Sequence, residues 1–232
     1  MALDRHRAEP ARSPLQGARP IDGGLFVTFE GVEGAGKSTQ VRLLHEYLSN
    51  TNIPFVFTRE PGGTPLGEKL RTLLIDPLHQ MSAEAEALIL SASRAELVDK
   101  VIEPALRENR LVVCDRFWDA TIAYQGYGRG LPVDTLVRLT MFAARGIEPD
   151  MTFLLDVPVR VSQERIRGRL GFADRLEQES IDFHERVALG YRELAVAAPH
   201  RFIVVDGRRP EDEIAIELRQ TIIARWKRRR TS

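Results

Sequence analysis

Residues 31–39 read GVEGAGKST, between the apolar run Leu25–Phe29 and a helical pattern over residues 37–49. The spacing is G-x-x-x-x-G-K-[S/T] in a strand–loop–helix context, which a phosphate-cradling loop requires. Gly31 and Gly36 let the backbone bend. The N–H groups between them, on Val32, Glu33, Gly34 and Ala35, then converge on phosphate oxygens. The helix that follows aims the positive end of its dipole at the same anion. Lys37 has the reach for the outer phosphates, Ser38 offers a hydroxyl to Mg²⁺, and Thr39 completes the loop. The stretch reads as a nucleoside triphosphate site, and it sets the expectation of a P-loop-type α/β fold.

Working outward, apolar β-type runs lie at Leu25–Phe29, Ile53–Phe57, Leu111–Cys114, Met151–Leu155 and Phe202–Val205. Each is short and apolar on both faces, as parallel strands covered by helices should be. Helical patterns occupy about 37–49, 66–75, 83–108, 134–145, 158–168, 177–197 and 211–227. Ser82 and Asp134 are placed to cap helices, and Pro158 and Pro210 suit first turns. The alternation predicts one doubly wound domain over residues 23–232.

Residues 1–22 are rich in Arg, Ala and Pro and read as a disordered N-terminal extension. Asp4, Glu9, Asp22 and the prolines set that stretch apart from an organelle transit peptide. Lys plus Arg equals Asp plus Glu, 33 of each in 232 residues, so no global field points to nucleic acid. The basic tail Arg225–Arg230 reads as a solvated helix end. No run reaches the roughly 18 apolar residues of a membrane span. The lone Cys114, inside LVVC, reads as a small buried hydrophobe, and a reducing cytoplasm is the default compartment.

Ligands of open α/β sheets bind beyond the carboxyl ends of the strands. After the second strand comes TREPGGTPLGEKLR, which sets Arg59 and Glu60 at the strand end. After the third comes DRFWDATIAYQGYGRG, with Asp115 placed to orient Mg²⁺ or its waters and Arg116 beside it. Two arginines at adjacent strand ends suit an acceptor that is itself a phosphomonoester. A further cluster, Arg165, Arg167 and Arg169, precedes Gly171 and reads as a mobile lid over about 165–175 that closes cations over transferring phosphates. The phosphate loop carries no cation before Lys37, so charge on the transferring group falls to Lys37, Mg²⁺ and arginines from elsewhere. The five histidines need no catalytic role, and His184 reads as a surface residue.

FVTFEGVEGAGKSTQ, TREPGGTPLGEKLR, SASRAELV, DRFWDATIAYQG and DRLEQES, in this order and spacing, resemble the thymidylate kinase family. The resemblance covers roughly residues 24–226 and implies a five-stranded parallel sheet flanked by helices, a homodimer, and Mg²⁺-dependent transfer from ATP to dTMP, giving ADP and dTDP. It implies that Arg59 and Arg116 hold the dTMP phosphate and that Arg94 bonds thymine with Thr121 at its polar edge. Tyr124 and the adjoining Gln125 of AYQG belong to the same acceptor pocket, Tyr124 against the sugar. Glu33 approaches the acceptor through Mg²⁺ or a sugar hydroxyl, and the lid arginines match the bacterial variant. In VVDGRRP, Arg208 packs near adenine.

Three positions depart from the family pattern. Leu90 stands where the family stacks Phe or Tyr on thymine, which removes an aromatic contribution of about 0.5–1.5 kcal/mol. Phe117 and Trp118 replace the usual residues after the DR pair, with Ala120 at a position where a hydroxyl is common. The lid is one residue longer than in some relatives. The competing readings are a kinase of another pyrimidine monophosphate or of a deoxynucleoside, and a nucleotide-binding module without turnover.

Overall fold

Five parallel strands make a single sheet in the order β2-β3-β1-β4-β5 in a computed structural model that describes residues 23–168 and 175–231. They are β1 (Leu25–Glu30), β2 (Phe55–Arg59), β3 (Leu111–Asp115), β4 (Met151–Asp156) and β5 (Phe202–Asp206). The helices are α1 (Lys37–Leu48), α2 (Pro65–Ile75), α3 (Ala83–Leu97), α4 (Glu103–Arg107), α5 (Trp118–Thr121), α6 (Val133–Ala143), α7 (Val159–Arg167), α8 (Ile181–Ala197) and α9 (Glu211–Thr231). The expected extension over 1–22, Arg169 and most of the expected lid lie outside the described residues.

The period of two along each strand divides the core between the two faces of the sheet. Leu25, Val27 and Phe29 pack with Leu111 and Val113 on one side. Phe26 packs with Val112 and Cys114 on the other. All of β1 is buried, which explains its apolar run. Cys114 is buried as expected, and its thiol donates to the Arg116 carbonyl at 2.9 Å. Ser82 caps α3 by accepting from the Ala85 N–H at 3.2 Å.

The structure corrects several expectations. β2 begins at Phe55 rather than Ile53, because Pro54 has no N–H to give the ladder, although its carbonyl still accepts from the Leu111 N–H. The expected helix over 83–108 is interrupted by a wide π-type turn at Val98–Ile102. Pro104 lacks the N–H that would continue the ladder there, and its ring crowds the preceding turn. Asp134 does not cap α6, whose cap position is Pro132; Asp134 lies in the first turn. α9 runs on to Thr231, and Arg229 pairs with Asp150 instead of extending into solvent. The segment 118–128, read from sequence as a loop, is helical: α5 continues as wide turns over Ile122–Gly128. It is buried against α8, so packing overrides the weak helix preference of its glycines and aromatics. Among the described residues no helix is long and apolar enough to cross a membrane.

Candidate active site

The phosphate loop leaves β1 with Gly31 at φ 137° and reaches α1 through Gly36 at φ 102°, backbone that L side chains rarely adopt. Lys37 opens α1 buried, and its ammonium donates to the carbonyls of Gly31 and Val32 at 2.9 Å each. Burial, then Arg116 nearby, pushes the Lys37 pKa down to about 8. A cavity of about 410 Å³ lies along the loop, lined by Gly34 through Gln40, Leu155, Gly207 and Glu211. Arg165 lines it too, donating to the carbonyls of Gly34 at 3.3 Å and Gly207 at 3.0 Å. Gly31 and Val32 stay behind the lining, and Arg167 is exposed near the end of α7. Arg208 is exposed and forked onto Asp206 at 2.8 Å; the neighbouring Arg209 is the one that lines this cavity.

A second cavity, of about 300 Å³, opens beside the first. The parallel register sets Arg59 level with Asp115 on the adjacent strand, so the carboxyl ends of β2 and β3 deliver Arg59 and Arg116 to one wall. Leu90, Arg94, Thr121, Tyr124 and Gln125 form the rest of that wall. Arg59 is paired with Glu68 at 3.0 Å. Arg116 has φ 68° and is held on three sides. Its guanidinium donates to Glu33 at 2.9 Å, Tyr191 at 2.9 Å and Tyr124 at 3.2 Å. The Tyr124 hydroxyl in turn donates to Glu33 at 2.5 Å. Burial alone would raise the Glu33 carboxyl, but Arg116, Lys37 and the Tyr124 hydroxyl outweigh it and hold it below the usual range.

Arg94 is buried, donating to Glu60 at 2.6 and 2.8 Å and to Thr121 at 3.0 Å. Its Nη1 is buried without a partner, as a donor reserved for a ligand would be. Gln125 donates to Glu86 at 2.5 Å, and its own Oε1 is unpartnered. Ser38 and Asp115 approach within 3.5 Å, and Asp115 Oδ1 is buried with no hydrogen bond, which suits an oxygen-seeking cation.

Sequence reasoning missed the residues that hold these groups. Glu30 ends β1, taking hydrogen bonds from the Phe117 N–H at 2.7 Å and the Tyr191 hydroxyl at 2.8 Å. Glu86 gathers Gln125, Arg129 and Arg175. His184, expected at the surface, is only 1% exposed. Its neighbours carried a usable signal. Val187, Ala188 and Tyr191 follow it at the spacing of one helix face, and all three are buried.

A G-x-x-x-x-G-K-S loop at the carboxyl edge of an all-parallel sheet, with a second, arginine-bearing cavity beside it, defines a protein of the P-loop α/β class. The family model described as thymidylate kinase matches residues 29–218. The thymidylate kinase of Desulfovibrio desulfuricans is 47% identical over 212 residues, 88% of this chain and 98% of that protein. That of Carboxydothermus hydrogenoformans is 47% identical over 196 residues, 84% of this chain and 95% of that one. The crystal structure of thymidylate kinase from Ehrlichia chaffeensis superposes with a TM-score of 0.69 at 36% identity, covering 86% of this chain and 99% of that chain. The chain belongs to the thymidylate kinase family.

Proposed function

We propose that ATP occupies the cavity along the phosphate loop and dTMP the neighbouring one, end to end, so that the γ-phosphoryl group passes in line to the dTMP phosphate. The reaction is that of the family: ATP plus dTMP gives ADP plus dTDP. One observation carries this arrangement. Gly34, Lys37 and Ser38 line both cavities, so two phosphate chains meet at the same three residues. The acceptor phosphate is already anionic near neutral pH, so position and charge supply the catalysis and no strong general base is needed.

In this reading Lys37 holds the outer phosphates of ATP, and the backbone of residues 31–39 wraps the chain behind them. Arg59 and Arg116 hold the phosphate of dTMP. Arg94 gives its free Nη1 donor to the base, with Thr121 and Gln125 at the polar edge, Leu90 over the ring and Tyr124 against the sugar. Arg165 and Arg167 supply positive charge on the donor side, and Arg209 takes the place expected of Arg208 beside the nucleoside. Mg²⁺ fits the Ser38–Asp115 pair, where it would neutralise charge on the phosphate oxygens. One kinase domain over residues 23–232 is the economical unit. A homodimer is supported by α3 and α6, which pack together while leaving Leu88 58% and Phe142 84% exposed. A buried, unpaired Cys114 suits a reducing cytoplasm.

The test is ADP release with dTMP, dUMP, UMP, CMP and dGMP as acceptors. dTMP should be turned over fastest and UMP poorly. With Leu90 in place of an aromatic ring, dUMP should follow within roughly tenfold, the worth of about 1.4 kcal/mol, near the upper end of a stacking contribution. Nucleotide binding without ADP release in the presence of dTMP would contradict the proposal.

A further inference from the structure

His184 is the least explained polar group near the site. It sits on the buried face of α8, 1% exposed, and neither ring nitrogen has a hydrogen-bond partner. A buried unpaired imidazole is costly, so its retention calls for a use in another state of the protein. Its Nδ1 lies 3.8 Å from Glu33 Oε2, just beyond hydrogen-bond range. His184 does not line the acceptor cavity; it stands next to Glu33, which does.

Glu33 meanwhile occupies the place the acceptor needs. Its Oε1 takes the Arg116 guanidinium at 2.9 Å, so a carboxylate covers that cation. A doubly charged phosphate arriving on Arg116 would lie against that carboxylate, and like charges at contact repel strongly at a partly buried site. Glu33 therefore has to yield. The groups around it are Arg116, Lys37, the Tyr124 hydroxyl and His184. Arg116 is taken by the incoming phosphate, and Lys37 serves the donor nucleotide. Among the protein groups, Tyr124 and His184 are left to hold it, beside any sugar hydroxyl the acceptor offers its other oxygen.

We propose that His184 is a positioning residue for the transfer, receiving the Glu33 carboxylate on its Nδ1–H when the phosphate of dTMP displaces it from Arg116. A shift of roughly 1 Å closes the gap to hydrogen-bond distance while the Tyr124 bond keeps its hold. Glu33 thus acts as a stand-in for the substrate phosphate, and His184 prevents the displaced charge from being stranded. The inference rests on the reading that Arg116 binds the acceptor phosphate.

The decisive experiment is nitrogen NMR of the full chain labelled in its histidine rings, with the His184 signals assigned through His184→Gln. On saturation with dTMP, the Nδ1 signal should move to that of a hydrogen-bonded N–H, and thymidine, which lacks the phosphate, should leave it in place. In kinetics, His184→Phe should raise KM for dTMP about tenfold with KM for ATP held within about twofold, and His184→Gln should recover most of the loss. Silence of the ring on adding dTMP, while Arg116→Ala still weakens dTMP, would overturn the role of His184 alone. If Arg116→Ala leaves dTMP unaffected, the assignment of the acceptor site falls and takes this inference with it. Should His184→Phe not fold, the spectrum of the unaltered protein still decides.

Discussion

Glu30 closes β1 as a fully buried carboxyl between the Phe117 N–H and the Tyr191 hydroxyl. Burial first, then the charge of Asp119, raises its pKa from the ordinary 4.5 to about 8. The folded chain thus keeps a proton on Glu30 where the unfolded chain has lost it. The resulting stabilisation is complete below pH 4.5 and disappears as pH rises through about 8. Urea unfolding of the wild type and Glu30→Gln across this window should show the wild type losing ground steadily relative to the variant. A constant difference between them would refute the shift. Residues of this kind divide the legible from the illegible. Lys37, Ser38, Arg59, Asp115 and Arg116 could be read because each sits at a fixed offset from a motif or a strand end. Glu30, Glu86 and His184 could not, because their meaning comes from partners 39 to 161 residues away in sequence, such as Gln125 and Tyr191.

The elements were legible wherever burial imposes a period. All five strands and the amphipathic helices followed from apolar spacing, with errors at ends such as those set by Pro54 and Pro104, at the start of α8, which begins at Ile181 rather than 177, and at the end of α9. The helix over 118–128 escaped notice because WDATIAYQGYG carries no such period. Its order comes from α8, and the two approach so closely that only glycine fits at Gly190. A Cβ there would lie 2.7 Å from the ring of Tyr127. Gly190→Ala should therefore destabilise the fold by about 1–3 kcal/mol, read from denaturant midpoints. It should also raise KM for dTMP more than for ATP, since Tyr124 is carried on the displaced segment. Wild-type stability in this variant would mean that the contact does not fix the segment.

At the scale of the whole molecule, equal numbers of acidic and basic residues are sorted so that cations from four separate places in the chain surround one region. Arg59 and Arg116 arrive from neighbouring strands, Lys37 from the phosphate loop and Arg165 from α7. Glu68 covers Arg59, Glu33 covers Arg116 and backbone carbonyls engage Lys37, so a ligand that takes these cations must exchange with groups already in place. Local motif reading supplied the cations and Glu33 itself, but neither the pairing of Glu33 with Arg116 nor that of Glu68 with Arg59.

The most direct test of this arrangement is the steady-state KM for each substrate in Arg59→Ala and Arg116→Ala. A lost charge-assisted hydrogen bond is worth roughly 1.5–3 kcal/mol, so KM for dTMP should rise between about tenfold and a hundredfold while KM for ATP changes by less than about twofold. Equal increases for both nucleotides in both variants would contradict the separation of the two sites.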